Sequence, residues 1–247
     1  MSIQEMAERF GWSDEEARLR NAICEIGSLC YQRNYIVGAD GNISGRLSDG
    51  TLIITPAGAM KGFLTPRNLA HVDMRGEIVD DGPKCSSEVG IHIVSYEERP
   101  EMKAVLHCHP PYASSLIGLA DPTIPPLDQA TARFWGRTVY DSEMGGPPDD
   151  PAEGARVAEA IEGHSVMMMG NHGVTVVGES VAHAFEELYY LERACRTTVL
   201  ALSTGRPLSP MGDDLADSVA RMWTRSADQG LAHFAELKNI LDRDDPS

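Results

Sequence analysis

The stretch SVMMMGNHGVTVVG, residues 165–178, constrains the fold more than any other part of the chain. Two apolar runs of strand length flank a short polar break, so they can pair across it. The methionines at 167–169 are most simply a buried strand. The longest helical pattern, AHAFEELYYLERACRTTVLAL, follows directly, starting near Glu179 and ending at Gly205 and Pro207.

The same alternation of short strands and helices continues upstream. Ser13 and Glu16 read as a capping box opening an amphipathic helix to about Asn34. GADGNISG is then a glycine-rich turn, TLIIT a strand, PAGAMKG a turn, and LTPRNLAHVDMRGEIV a helical turn with a hairpin. Ser86 or Ser87 can cap a helix through EVGIHIVSYEER, which Pro100 stops. MKAVLHCHP alternates as a strand, PYASSLIGLA is helical, RTVYD is a strand, and Pro151 opens another helix. A last helix, about Leu215 to Leu241, precedes the charged tail DRDDPS. The pattern predicts one α/β domain over residues 1–247, with a mixed or antiparallel sheet between helices and a C-terminal helix and tail from about 212.

No segment reaches eighteen consecutive apolar residues, and the acidic N-terminus lacks an apolar signal core, so a cytoplasmic chain is expected. The five cysteines are odd in number and form no CxxC pair, which favours reduced thiols over a disulfide framework. The net charge of −16 argues against nucleic acid or an anionic membrane as partner. It leaves room for a small anionic substrate, because a metal ion and aimed backbone N–H groups can make one cleft positive.

His107 and His109 stand two apart on the MKAVLHCHP strand, so both imidazoles project from one face. That arrangement can offer two nitrogens to one ion, and it is equally compatible with two structurally satisfied histidines. Cys108 between them faces the other way, as a packing residue. His172 interrupts what would otherwise be an Asn-Gly turn, and three histidines with an open position make a catalytic metal site. Ser86, Ser87 and Glu88 open a helix, where exposed N–H groups favour an anion; the plain alternative is a cap followed by an acidic first-turn residue. Gly41-Asn42 and the Thr55–Gly58 turn allow backbone to approach a ligand closely, as many hairpins do. His92, four residues after Glu88 on the same helix face, can orient it or serve the core. His71, His164, His183 and His233 are read as structural.

In order, the motifs GNIS, TPAG, SSE, HCH and NHG resemble the class II aldolase/adducin family over roughly residues 15 to 205. The resemblance implies a three-layer α/β/α sandwich with a largely antiparallel central sheet, assembled as a homotetramer. It implies one divalent ion per subunit, zinc first and manganese or cobalt as alternatives, held by His107, His109 and His172. Glu88 becomes the acid/base and can also touch the metal. The phosphate-binding set becomes Gly41, Asn42, Ala57, Gly58, Ser86 and Ser87.

Glutamate at 88 looks like the aldolase branch; the related epimerases tend to carry aspartate. The activity implied first is aldol-type cleavage of a ketose phosphate through an enediolate. A metal-dependent decarboxylase or dehydratase of a hydroxylated acid or sugar phosphate is the alternative. A non-catalytic adducin-like interaction domain comes third. Two departures bear on the choice. Ala57 stands where the family usually has a second loop threonine, with Lys61 or Arg67 as compensating cations nearby. Gln129 stands where the aldolases carry a proton-donating tyrosine, with Tyr112 and Tyr140 as substitutes or as half-buried structural residues.

Overall fold

The computed structural model describes residues 1–141, 151–224 and 227–244. Its centre is a seven-stranded sheet in the order β3-β2-β1-β4-β7-β6-β5. The strands are β1 (Asn42–Arg46), β2 (Leu52–Ile54), β3 (Ala70–Val72), β4 (Ala104–Cys108), β5 (Thr138–Asp141), β6 (Val166–Met169) and β7 (Val174–Gly178). Only β5 and β6 run parallel; every other pair is antiparallel. The expected three layers are present.

Residue alternation builds those layers. Ile43, Ile53, Leu106, Cys108, Met168, Val174 and Val176 join one buried cluster with helices α2 (Asp14–Gln32) and α7 (Val181–Ser203). Their neighbours Leu52, Ile54, Val72, Val105, Met167, Met169 and Val177 join a second cluster with α3 (Val89–Glu98) and α6 (Pro151–Ile161). Each face of the sheet therefore packs on its own helices. Among the described residues no helix is long and apolar enough to cross a membrane.

Several sequence readings shift by a local cause. The glycine-rich stretch holds β1, whose NISGR lacks a β-branched run and becomes a strand by pairing with β2 and β4 on both sides. At Ser13 only half the capping box forms: the Ser13 hydroxyl accepts from Glu16 N, while the Glu16 carboxylate turns to Arg20. A complete box stands at Ser2 and Glu5, starting α1 (Ile3–Phe10). Neither Ser86 nor Ser87 is the cap of α3, because Glu88 itself takes that position. The expected C-terminal helix is described as α8 (Asp213–Thr224) and α9 (Ala227–Asp244); residues 225–226 between them and 245–247 of the tail lie outside the described part. Among the described residues the remaining α-helices are the short α4 (Pro111–Leu116) and α5 (Gln129–Ala132).

Candidate metal centre

The end of β4 carries the first two histidines. His107 pairs with Asn42 of β1 on one side and Thr175 of β7 on the other, and is fully buried. His109 follows just past the strand end, on the same side as His107. Cys108 between them is buried among the apolar residues of the opposite face, as expected. His172 arrives from the β6–β7 turn. Asn171 there takes a left-handed backbone, φ 55°, a conformation asparagine tolerates better than most residues. Gly173 is required beside it, since a Cβ at that position would lie 2.3 Å from His109 Cδ2.

These three side chains offer donor nitrogens that all lie within 4.8 Å of one another. His107 Nε2 and His109 Nε2 are 3.2 Å apart. Glu88 Oε1 is 3.2 Å from His172 Nε2 and 3.8 Å from His107 Nε2. Donors arranged tetrahedrally at about 2.05 Å from one ion stand about 3.3 Å from each other, so the spacing fits a divalent metal. The tautomer fits too. Thr175 Oγ1 gives its proton to Met169 Sδ at 3.5 Å and therefore accepts from His107 Nδ1–H at 3.2 Å, which leaves Nε2 bare toward the cluster.

Burial, reinforced by the neighbouring imidazoles of His172 and His109 and opposed by Glu88, pulls the His107 pKa down to about 3. Burial also lowers that of His109. Both therefore keep lone pairs for an ion at neutral pH. Burial alone would push the Glu88 carboxyl up. The hydrogen bond from His172, the neighbouring imidazoles of His107 and His172 and the bond from Asn42 outweigh it and lower the carboxyl below the usual carboxylate range. The chemistry implied by the resemblance asks for a carboxyl raised toward neutrality. Here burial works in that direction, and the donors of His172 and Asn42 work against it.

Next to Glu88 and His109 lies a cavity of about 200 Å³, lined also by Gly41, Ala57, Gly58, Ser86 and Ser87. Gly41 and Gly58 both adopt left-handed backbone, φ 68°, and a Cβ on Gly41 would meet the His107 carbonyl at 2.8 Å. Asn42 behaves differently from the rest of the anticipated phosphate set: its amide donates to Glu88 Oε2 at 2.6 Å and Ser86 Oγ at 3.2 Å.

Of the two cations suggested for the Ala57 departure, Lys61 lines the cavity and Arg67 sits over the Phe10 ring. Lys61 is 1% exposed and donates to the carbonyls of Ala39 and Ala59, each at 2.8 Å, tying the two glycine turns together. Gln129 is exposed and its carbonyl accepts from Trp223 Nε1. The Tyr140 hydroxyl accepts from Ile124 N at 3.0 Å, a structural role. Tyr112 lines a separate cleft with Arg33, Glu192 and Arg196.

Comparison with known proteins gives the family. The family described as Class II Aldolase and Adducin N-terminal domain matches residues 21–199. A 3-oxo-tetronate 4-phosphate decarboxylase of Cupriavidus necator is 36% identical over 185 residues, covering 73% of this chain and 83% of that protein. An L-fuculose phosphate aldolase of Methanococcus maripaludis is 30% identical over 173 residues, covering 70% of this chain and 91% of that protein. The crystal structure of an aldolase II superfamily protein from Pseudomonas syringae superposes with a TM-score of 0.88 at 27% identity, covering 96% of this chain and 97% of that one. On the matched span, the similar fold and the ordered motifs, the chain belongs to the class II aldolase and adducin family.

Proposed function

We propose that this chain is a divalent-metal-dependent lyase that decarboxylates a phosphorylated 3-oxo sugar acid. The observation that carries the proposal is the meeting of three histidine nitrogens and Glu88 beside a cavity that His109 and Glu88 line with the glycine turns, Ser86, Ser87, Lys61 and the Asp40 carboxylate. The choice of decarboxylation over aldol cleavage, the first implication of the motifs, is supported by the greater similarity to 3-oxo-tetronate 4-phosphate decarboxylases. Gln129 supports it as well, since an amide cannot serve as the proton donor that an aldolase tyrosine supplies.

His107, His109 and His172 would hold the ion, with zinc first among the candidates. An ion there supplies Lewis-acid polarisation of the substrate's oxo and hydroxyl oxygens. The residues of the chain supply the rest. Ser86, Ser87 and the turns at Gly41 and Gly58 hold the phosphate, and Lys61 keeps those turns in register. Loss of carbon dioxide from a 3-oxo acid leaves electron density on the neighbouring carbon, where a proton must be delivered. Glu88 stands beside the imidazoles to move that proton between the carbon and solvent.

The reading includes a homo-oligomer, a tetramer by resemblance to the family. Five unpaired cysteines support a reducing, cytoplasmic location. The assay is carbon dioxide release from 3-oxo-tetronate 4-phosphate by metal-loaded protein, with L-fuculose 1-phosphate cleavage run beside it. Turnover of the first substrate and none of the second is expected. The reverse pattern would return the chain to the aldolases.

A further inference from the structure

Behind Glu88 a row of buried polar side chains runs into the core. Asn42 Nδ2 donates to Glu88 Oε2 at 2.6 Å. The amide nitrogen faces both Glu88 Oε2 and Ser86 Oγ, so Asn42 Oδ1 faces away, toward His92. Oδ1 in turn only accepts, so His92 carries its proton on Nε2 and donates it there. His92 is fully buried, and burial pulls its pKa down to about 4 despite Glu88. The ring is therefore neutral, and its bare Nδ1 accepts from the Ser44 hydroxyl at 2.6 Å. Ser44 has then spent its only proton and accepts from the Tyr96 hydroxyl at 2.8 Å.

Every hydrogen bond in the row points the same way, toward Glu88. The fold explains how it is assembled. Asn42 and Ser44 alternate onto one face of β1, and Glu88, His92 and Tyr96 recur every four residues along the start and inner face of α3.

We infer that His92 is a positioning residue for the reaction: by donating from Nε2 it fixes the orientation of the Asn42 amide and so holds the Glu88 carboxylate against His172. Without that donor Asn42 Oδ1 is left buried and unsatisfied, and the side chain relieves that cost by turning toward another donor, which draws its Nδ2 off Glu88 Oε2. The row is no proton conduit. It ends at Tyr96, which is 0% exposed, and the Asn42 amide has no titrating group with which to pass a proton on.

The inference rests on the reading of Glu88 as the acid/base, so the test has two independent arms, crystallography and kinetics, on metal-loaded protein. His92→Phe removes both ring bonds. His92→Asn keeps a short amide near Ser44 but cannot reach Asn42, and as a smaller polar side chain it serves if the phenylalanine variant does not fold. His92→Gln offers an N–H and a carbonyl on one longer amide and should rescue.

Expected for the first two is a turned Asn42 and a Glu88 carboxylate displaced from the 3.2 Å contact with His172. Metal content should stay that of wild type. For 3-oxo-tetronate 4-phosphate, kcat should fall about 10- to 100-fold with KM little changed, and His92→Gln should recover most of it. Unmoved Asn42 and Glu88 in both variants, or an unchanged kcat, would overturn the inference. Wild-type protein inert toward that substrate would overturn the substrate reading instead, and the crystallographic arm would still decide the role of His92.

Discussion

Gly173→Ala isolates one contact of the metal centre. The glycine has ordinary backbone, so alanine meets no conformational penalty there; the difficulty is space. Its Cβ would lie 2.3 Å from His109 Cδ2, 2.9 Å from His109 Nε2 and 2.8 Å from the Cys108 carbonyl. Ordinary contact begins near 3.4 Å, so the His109 ring must retreat by about 1 Å. Metal–nitrogen distances tolerate about 0.2 Å, and the retreat exceeds that several-fold. One of three imidazoles should therefore leave the ion. The fold should survive, because overpacking of this kind costs about 1–3 kcal/mol, or roughly 2–12 °C in Tm for a domain of this length. The assay is zinc affinity by competition with a chelating dye, with circular dichroism melting of the metal-free protein beside it. At least about tenfold weaker binding, about 1.4 kcal/mol, is expected with the fold retained. Wild-type affinity in Gly173→Ala would refute the placement of His109 as a ligand.

Lys61→Met should loosen the two glycine turns and raise KM for 3-oxo-tetronate 4-phosphate by about tenfold, with kcat changed much less; steady-state kinetics read both. Cys108→Ala should leave metal stoichiometry at the wild-type value by mass spectrometry, because that thiol lies among apolar residues on the far side of β4. His92 gives a pH dependence of stability with a definite sign. Its folded pKa of about 4 lies below the ordinary 6.5, so the stability it contributes is full above 6.5 and is lost as pH falls toward 4. Urea unfolding of metal-free wild type should lose up to about 3 kcal/mol more than His92→Gln over that interval.

Much of the candidate site can be read along the chain because the residues proposed as ligands obey local rules. The two-residue spacing puts His107 and His109 on one face of β4 and Cys108 on the other, and the histidine inside an Asn-Gly turn calls for a purpose beyond the turn. What could not be read depends on distant partners. NISGR carries no strand pattern of its own and is made a strand by β2 and β4. The ring of His92 meets Asn42, fifty residues earlier, and no spacing rule announces that meeting. Lys61 reads as a cation compensating for Ala57 at the phosphate loop until the fold brings the carbonyls of Ala39 and Ala59 around it. Ser86 and Ser87 suit a helix cap by residue type, yet the helix begins one position later, and both serines line the cavity beside Glu88, Ser86 accepting from Glu88 N and Asn42 Nδ2.

Metal content tests the central claim most directly. Purified protein, reconstituted with zinc and dialysed, should carry about one ion per chain by mass spectrometry, and the His107→Ala, His109→Ala double variant should carry none while remaining folded. A wild-type protein that binds no divalent ion after reconstitution, or a double variant that keeps its ion, would contradict the assignment of these histidines.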